Sequence, residues 1–359
     1  MYIYIHLPFC TSICSYCDFP KLLYDKKYTY KYLDVLKKEI LTRYKGEEVK
    51  SIYIGGGTPT SLEIEELKYL FSFISSIFNY SNDIEFTIES NVESLSRDKI
   101  KLFSAYGINR VSLGVQSLNN NTLKELNRKH TRSDVFRVVK ELKEEGFNNI
   151  SIDYIYGVHN NIEEVEEDIS TFLKLDVPHI SCYSLIIEDN TIFGINNRKY
   201  IDEDIEEAMY KYIKNSLEDN GYKHYEISNY AKVGYESKHN LNYWNNNEYY
   251  GFGLGAVSYL NNNRITNTKN LTKYLANNYI DSIDYENMNI DISNTFMLGL
   301  RKVKGIDIIY FKNKYNKDII DIEPVKRLIN EGKLVLDNNR LYIHPNYFYL
   351  SNEIIIEFI

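Results

Sequence analysis

The chain has 359 residues, 43% of them apolar and 26% charged, with a formal net charge of −8. Single hydrophobic cores seldom serve more than about 250–300 residues, so more than one domain is expected of a composition that is otherwise that of a globular protein. The negative balance argues against a nucleic-acid or anionic-lipid partner, which would call for a basic face, and no apolar run approaches the ~20 residues that span a bilayer.

Taken in chain order, residues 2 to about 187 repeat one pattern: a short β-branched or aromatic run, a turn, then an amphipathic helix. Strands are expected at 2–7, 49–54, 84–89, 109–115, 149–155 and 179–187, and helices at about 28–44, 61–78, 96–104, 133–145 and 161–175. Ser61, Ser96, Ser133 and Asn161 suit N-caps or first turns. Strands separated by helices pair in parallel through right-handed crossovers, which predicts an α/β fold curled into a partial (β/α)6 barrel with its sites at the C-terminal strand ends. A helix at 202–220 and HYEIS at 224–228 complete a first unit, 1–228. A Gly-, Asn- and Tyr-rich connecting segment follows, 229–285, and then a different module, 286–359. In that module helices near 288–300, 306–314 and 322–331 precede a hairpin whose turn is Asn338-Asn339, a small helical, winged-helix-like arrangement. It shows no Arg/Lys-rich recognition helix, so a packing or lid role is expected.

Directly after the first strand stands CTSICSYC, which places Cys10, Cys14 and Cys17 on one loop with the spacing CxxxCxxC. The opening residues lack the leader of an export signal. A cytoplasmic, reducing compartment is therefore expected, where four cysteines do not form a disulfide framework. Structural zinc would want four ligands from two half-sites, and Cys182 falls on a buried strand far downstream. Three thiolates can instead hold three irons of a [4Fe-4S] cube and leave the fourth iron open to a small molecule. YIHLPFCTSICSYCDF resembles the first strand and cluster loop of the radical S-adenosylmethionine (SAM) superfamily. The resemblance implies a [4Fe-4S] cluster whose open iron is chelated by SAM, an electron donor for that cluster, and reductive cleavage to a 5′-deoxyadenosyl radical, with the cofactor carrying the chemistry.

Further motifs resemble the coproporphyrinogen dehydrogenase and heme chaperone (HemW) branch: GGGTPT at 55–60, Glu89 in FTIESN, Gln116 in SLGVQS, Arg128 in LNRKH and Asp153 in SIDYIYG. By that resemblance Tyr4, Gly56, Gly57, Thr58, Glu89, Gln116, Arg128 and Asp153 contact SAM, and Tyr16 lies beside the cluster. The porphyrinogen-oxidising members carry a further cysteine two residues after the third and an extra N-terminal segment; here Phe19 stands at that position, and only nine residues precede Cys10. The heme chaperone group has CxxCDF, met by CSYCDF, and HNxxYW, met by HNLNYW at 239–244. An imidazole at His239 and flat faces at Tyr243 and Trp244 suit heme. Relatives often carry His after GLGA, where this chain has Val257. The expected function is heme chaperoning, with heme passed to respiratory hemoproteins, membrane-bound ones among them. The rival is oxygen-independent coproporphyrinogen III dehydrogenase, against which Phe19 speaks. No catalytic side chain is assigned, and both SAM turnover and homodimerisation are left open.

Overall fold

The structure, a computed structural model, describes all 359 residues. Its main sheet begins with six parallel strands in chain order, β1 (Tyr2–Leu7), β2 (Val49–Gly56), β3 (Tyr80–Asn91), β4 (Arg110–Gln116), β5 (Asn149–Tyr156) and β6 (His179–Ser184). Helices α1 (Lys26–Arg43), α2 (Ile64–Ile77), α3 (Arg97–Ala105), α4 (Arg132–Glu144) and α5 (Ile162–Leu175) fill the crossovers. Strand alternation decides what each face holds. Ile52, Ile54, Val111, Leu113, Ile150, Ile152 and Ile180 point outward, fully buried under the helices. Tyr53, Glu89, Ser112 and Asp153 point inward, so the interior of the curl is a polar column.

The sheet has nine strands rather than six: Lys223–Glu226, at the end of the first unit, forms one edge, and the segment expected as a connector supplies the strand inside it and the opposite edge. After α6 (Glu203–Asp219), strands β7 (Lys223–Glu226) and β8 (Asn229–Ala231) form an antiparallel extension beside β6. Next comes the short helix α7 (Lys238–Trp244), and β9 (Tyr250–Phe252) pairs parallel with β1 at the opposite edge. Tyr230, Tyr250, Phe252, Leu254 and Tyr274 accordingly belong to the 57-residue core of the barrel. Glu39, fully buried, fastens this segment to α1 by accepting from Arg43, Asn267, Tyr274 and the Gly253 amide.

Helix starts follow the expected caps with one exception. Ser96 caps α3, Asn161 occupies the cap position of α5, and Ser133 lies in the first turn of α4, behind a Thr131–Asp134 capping box. Ser61 instead belongs to a 3-10 turn, where its hydroxyl donates to the Phe9 carbonyl, and α2 starts later behind a Glu63–Glu66 box.

Beyond residue 286 a second core of 16 residues forms around Phe296, Phe311, Leu328 and Leu341. Helix α8 (Met288–Gly299) leads into a three-stranded sheet in which Ile306–Asp307 pairs with Arg340–Ile343 and the latter with Leu334–Asp337. Asn338 and Asn339 both take left-handed φ, +47° and +60°, as a two-residue hairpin turn with the strand twist requires. Helix, strand, two helices and hairpin is the order of a winged helix. No helix of the chain is long and apolar enough to cross a membrane.

Candidate functional site

The C-terminal ends of the parallel strands open into a cavity of about 440 Å3 that Cys10, Cys14 and Cys17 line from the loop after β1. The same cavity is lined by Tyr16, Gly56, Gly57, Thr58, Glu89, Gln116, Arg128 and Asp153, so one wall or another holds every residue expected at the cluster and SAM sites except Tyr4. The Tyr4 hydroxyl instead meets His6 Nδ1 at 3.0 Å. His6 Nε2 lies 2.8 Å from the Pro20 carbonyl, so it carries the ring proton and ties β1 to the end of the cysteine loop. Burial lowers this imidazole to about 4, which keeps it neutral.

The glycine turn after β2 is explained by what crowds it. A Cβ on Gly55 would come within 2.7 Å of the Glu89 carboxyl, and one on Gly56, at φ +115°, within 2.5 Å of the His6 ring. The Gly56 amide donates to Glu89 Oε2 (3.0 Å) and the Tyr53 hydroxyl to Oε1 (2.8 Å). Burial, reinforced by Asp153, still pushes Glu89 up to about 7. Asp153 is raised by burial too, although Ser112 donates to it at 3.0 Å. Two buried carboxyl groups with no ion pair, their charge only partly offset by Arg110, form a receptor for a cation with polar hydroxyls nearby, and SAM presents both an ammonium and a ribose.

Arg128 approaches from the next wall. Its Nε and Nη2 donate to the two Glu93 oxygens (3.0 and 2.8 Å), and Nη2 also reaches the Gly114 carbonyl (2.8 Å). This fork fixes the guanidinium plane and leaves Nη1 without a protein acceptor, positioned for a ligand carboxylate. Gln116 sits beside it at φ +69°, an unusual conformation for a residue with a side chain. Sequence reasoning missed Tyr53, Asn91, Ser112 and Tyr183, which also line the cavity. The missing signal was period two: Tyr53 precedes Gly55, Asn91 follows Glu89, and Ser112 shares a face with Gln116.

The cysteines fit a cluster. All three line one cavity, and a cube spreads its ligands over separate corners. Burial pushes the Cys10 thiol up to about 11 and raises Cys17, while Thr58 donates to Cys10 Sγ at 3.6 Å. Iron would supply the positive charge that thiolates lack in this pocket. A cluster held by Cys10, Cys14 and Cys17 would supply one-electron reducing chemistry there, and the chain's own part would be to bind, orient and shield.

HNLNYW lies elsewhere. Helix α7 closes the opposite, N-terminal end of the barrel, with the amides of Lys238 and His239 donating to Glu85 of β3 (2.8 and 2.9 Å). His239 is fully buried, with Nδ1 2.7 Å from Ser51 Oγ and Nε2 2.9 Å from the Tyr243 hydroxyl. Burial lowers the imidazole to about 3. Neither nitrogen is open to iron in this conformation. The ring lies tilted at 5.1 Å from that of Tyr53, which itself lines the cysteine cavity, so HNLNYW packs behind that cavity without lining it. Trp244, at the end of α7, faces the C-terminal module.

A parallel partial barrel with three cysteines at its mouth and a glycine turn on the next strand defines the class, a radical SAM protein, and residues 4–172 match the Radical SAM superfamily. The chain is 38% identical to the heme chaperone HemW of Lactococcus lactis, over 99% of this chain and 96% of that relative. It is 36% identical to HemW of Bacillus subtilis (98% and 97%) and 33% identical to HemW of Escherichia coli (78% and 77%). The chain belongs to the HemW family. Among solved structures, coproporphyrinogen III oxidase (HemN) from Escherichia coli superposes with a TM-score of 0.88 over 99% of this chain and 89% of that one, at 21% identity, which establishes a shared fold.

Proposed function

We propose that the chain is a cytoplasmic heme chaperone that carries a [4Fe-4S] cluster on Cys10, Cys14 and Cys17, holds SAM against Glu89, Arg128 and Asp153, and delivers heme to recipient hemoproteins. One observation carries this reading above the others: relatives named heme chaperones match it over nearly its full length. Phe19, where the decarboxylating branch has its further cysteine, agrees with it. The Phe19 side chain is 66% exposed at the rim of the cavity, an apolar lip in place of a ligand. Heme is placed near α7, with Trp244 offering a face at once and His239 offering nitrogen after Tyr243 releases it.

The test is anaerobic. Cluster-loaded protein is given SAM and coproporphyrinogen III, and separately titrated with heme. A Soret shift that saturates at a defined stoichiometry, with no protoporphyrinogen formed, is the expected result. Vinyl-bearing product would make the chain a dehydrogenase, and an unshifted heme spectrum would remove the chaperone reading.

A further inference from the structure

Where α7 ends, a crevice of about 280 Å3 separates the barrel from the C-terminal module, and Trp244 lines it together with Lys302 and Arg340. These cations come from different elements: Lys302 follows α8 and Arg340 opens the last hairpin strand. Lys302 is largely enclosed, and its ammonium meets only the Asn245 side-chain oxygen, with no carboxylate in ion-pair range. Burial, aggravated by Arg340 and only partly offset by Asp307, which also lines the crevice, pushes it down to about 8. Arg340 has one anionic neighbour, Asp307, at 3.3 Å. Arg301 adds a third positive group, with its guanidinium 5.6 Å from the centroid of the Trp244 ring. The C-terminus of α8 accounts for cations directly behind it, and Arg340, the cross-strand partner of Asp307, brings a further guanidinium to the same crevice from the hairpin.

We infer that this crevice is a carboxylate site, and that it receives the propionate edge of a porphyrin between Lys302 and Arg340, with Trp244 as its flat wall. This rests on the heme-chaperone reading and deepens it by giving the C-terminal module a part in holding the cargo. The volume is below the ~300–1,000 Å3 of pockets that enclose a drug-sized ligand, so the site takes the charged edge and leaves the rest of the macrocycle outside. An ammonium and a guanidinium donate to carboxylate oxygens, and each such charge-assisted bond is worth roughly ten-fold or more in affinity. The apolar ring edge meets the indole face.

Full-length wild-type protein is titrated, by Soret absorbance, with heme and with heme dimethyl ester, in which the propionates carry no charge. The ester is expected to bind at least ten-fold more weakly. Lys302→Met and Arg340→Met should each weaken heme about ten-fold and leave the ester unchanged. Equal affinities for heme and ester in the wild type overturn this inference alone and leave the chaperone reading standing. Saturable binding of neither porphyrin overturns both. The wild-type comparison requires no variant to fold.

Discussion

Glu89 shows how a single residue in the cavity trades stability against binding. A carboxyl whose folded value stands at about 7, above its ordinary 4.5, binds more protons in the folded chain than in the unfolded one. It therefore costs stability as pH rises through that interval. Glu89→Gln should leave the melting temperature near that of wild type at pH 5 and raise it at pH 8, by at most about 3 kcal/mol in free energy. The same variant should bind SAM at least ten-fold more weakly, because a neutral amide offers a cation no charge. Paired melts at the two pH values and a SAM titration of cluster-loaded protein check both halves; a variant destabilised at pH 8 would contradict the assignment of Glu89 as a buried acid whose burial outweighs its donors and Arg110. That Glu89 shares a cavity with the cysteines was legible because each lies at a strand end, and strand ends in a parallel curl converge. The inward turn of Tyr53 and the loss of Tyr4 to His6 were not legible, since they depend on which neighbour captures a hydroxyl.

At the scale of elements, the six parallel strands were legible because each carries enough residues for alternation to show. Strands β8 and β9 span only three residues each, too few for a period-two pattern, and so the Gly- and Asn-rich segment read as a connector. Helix α7 was hidden for the same reason, and its place as a plug bears on how His239 can be tested. Removing the imidazole leaves the hydroxyls of Ser51 and Tyr243 facing each other's absence in a dry site, which costs about 1–3 kcal/mol. His239→Ala is thus expected to melt several degrees lower whether or not heme binds there, and lost heme binding in that variant does not identify a ligand. Tyr243→Phe separates the effects: it deletes the partner of Nε2 at about 1 kcal/mol and frees that nitrogen. If His239 ligates heme, Tyr243→Phe accelerates heme association in stopped-flow Soret traces and keeps the heme-bound spectrum that wild type gives. An unchanged rate with an unchanged spectrum would place the ligand elsewhere.

In the whole molecule, two cores meet at Asp291, near the start of α8 and almost fully buried. From the barrel side it accepts from Asn246 (2.7 Å) and the Tyr259 hydroxyl (3.1 Å); from its own module it takes Tyr315 (2.8 Å) and pairs with Lys314 (2.9 Å). The asparagine run at 245–247 reads in sequence as a solvated turn, but Asn246 is buried in this joint at φ +50°. A charge shared by both bodies couples their unfolding, because separating them strands Asp291 without the barrel donors. The module with 16 core residues has far less apolar burial to draw on than the barrel with 57, so it should unfold first once the joint is weakened. Wild-type protein is expected to give one cooperative urea transition, and Asp291→Ala to split it, with the hairpin region losing structure at the lower denaturant concentration. SAM at about 100 times its dissociation constant should then raise the upper transition alone, by roughly 2.7 kcal/mol, since the SAM cavity lies wholly within the barrel. Heme, held across the crevice, should raise the lower transition and narrow the gap. Hydrogen exchange read separately over residues 49–116 and 306–343 distinguishes the two bodies, and a variant that still unfolds in one step would show that the barrel and module are joined by more than this carboxylate.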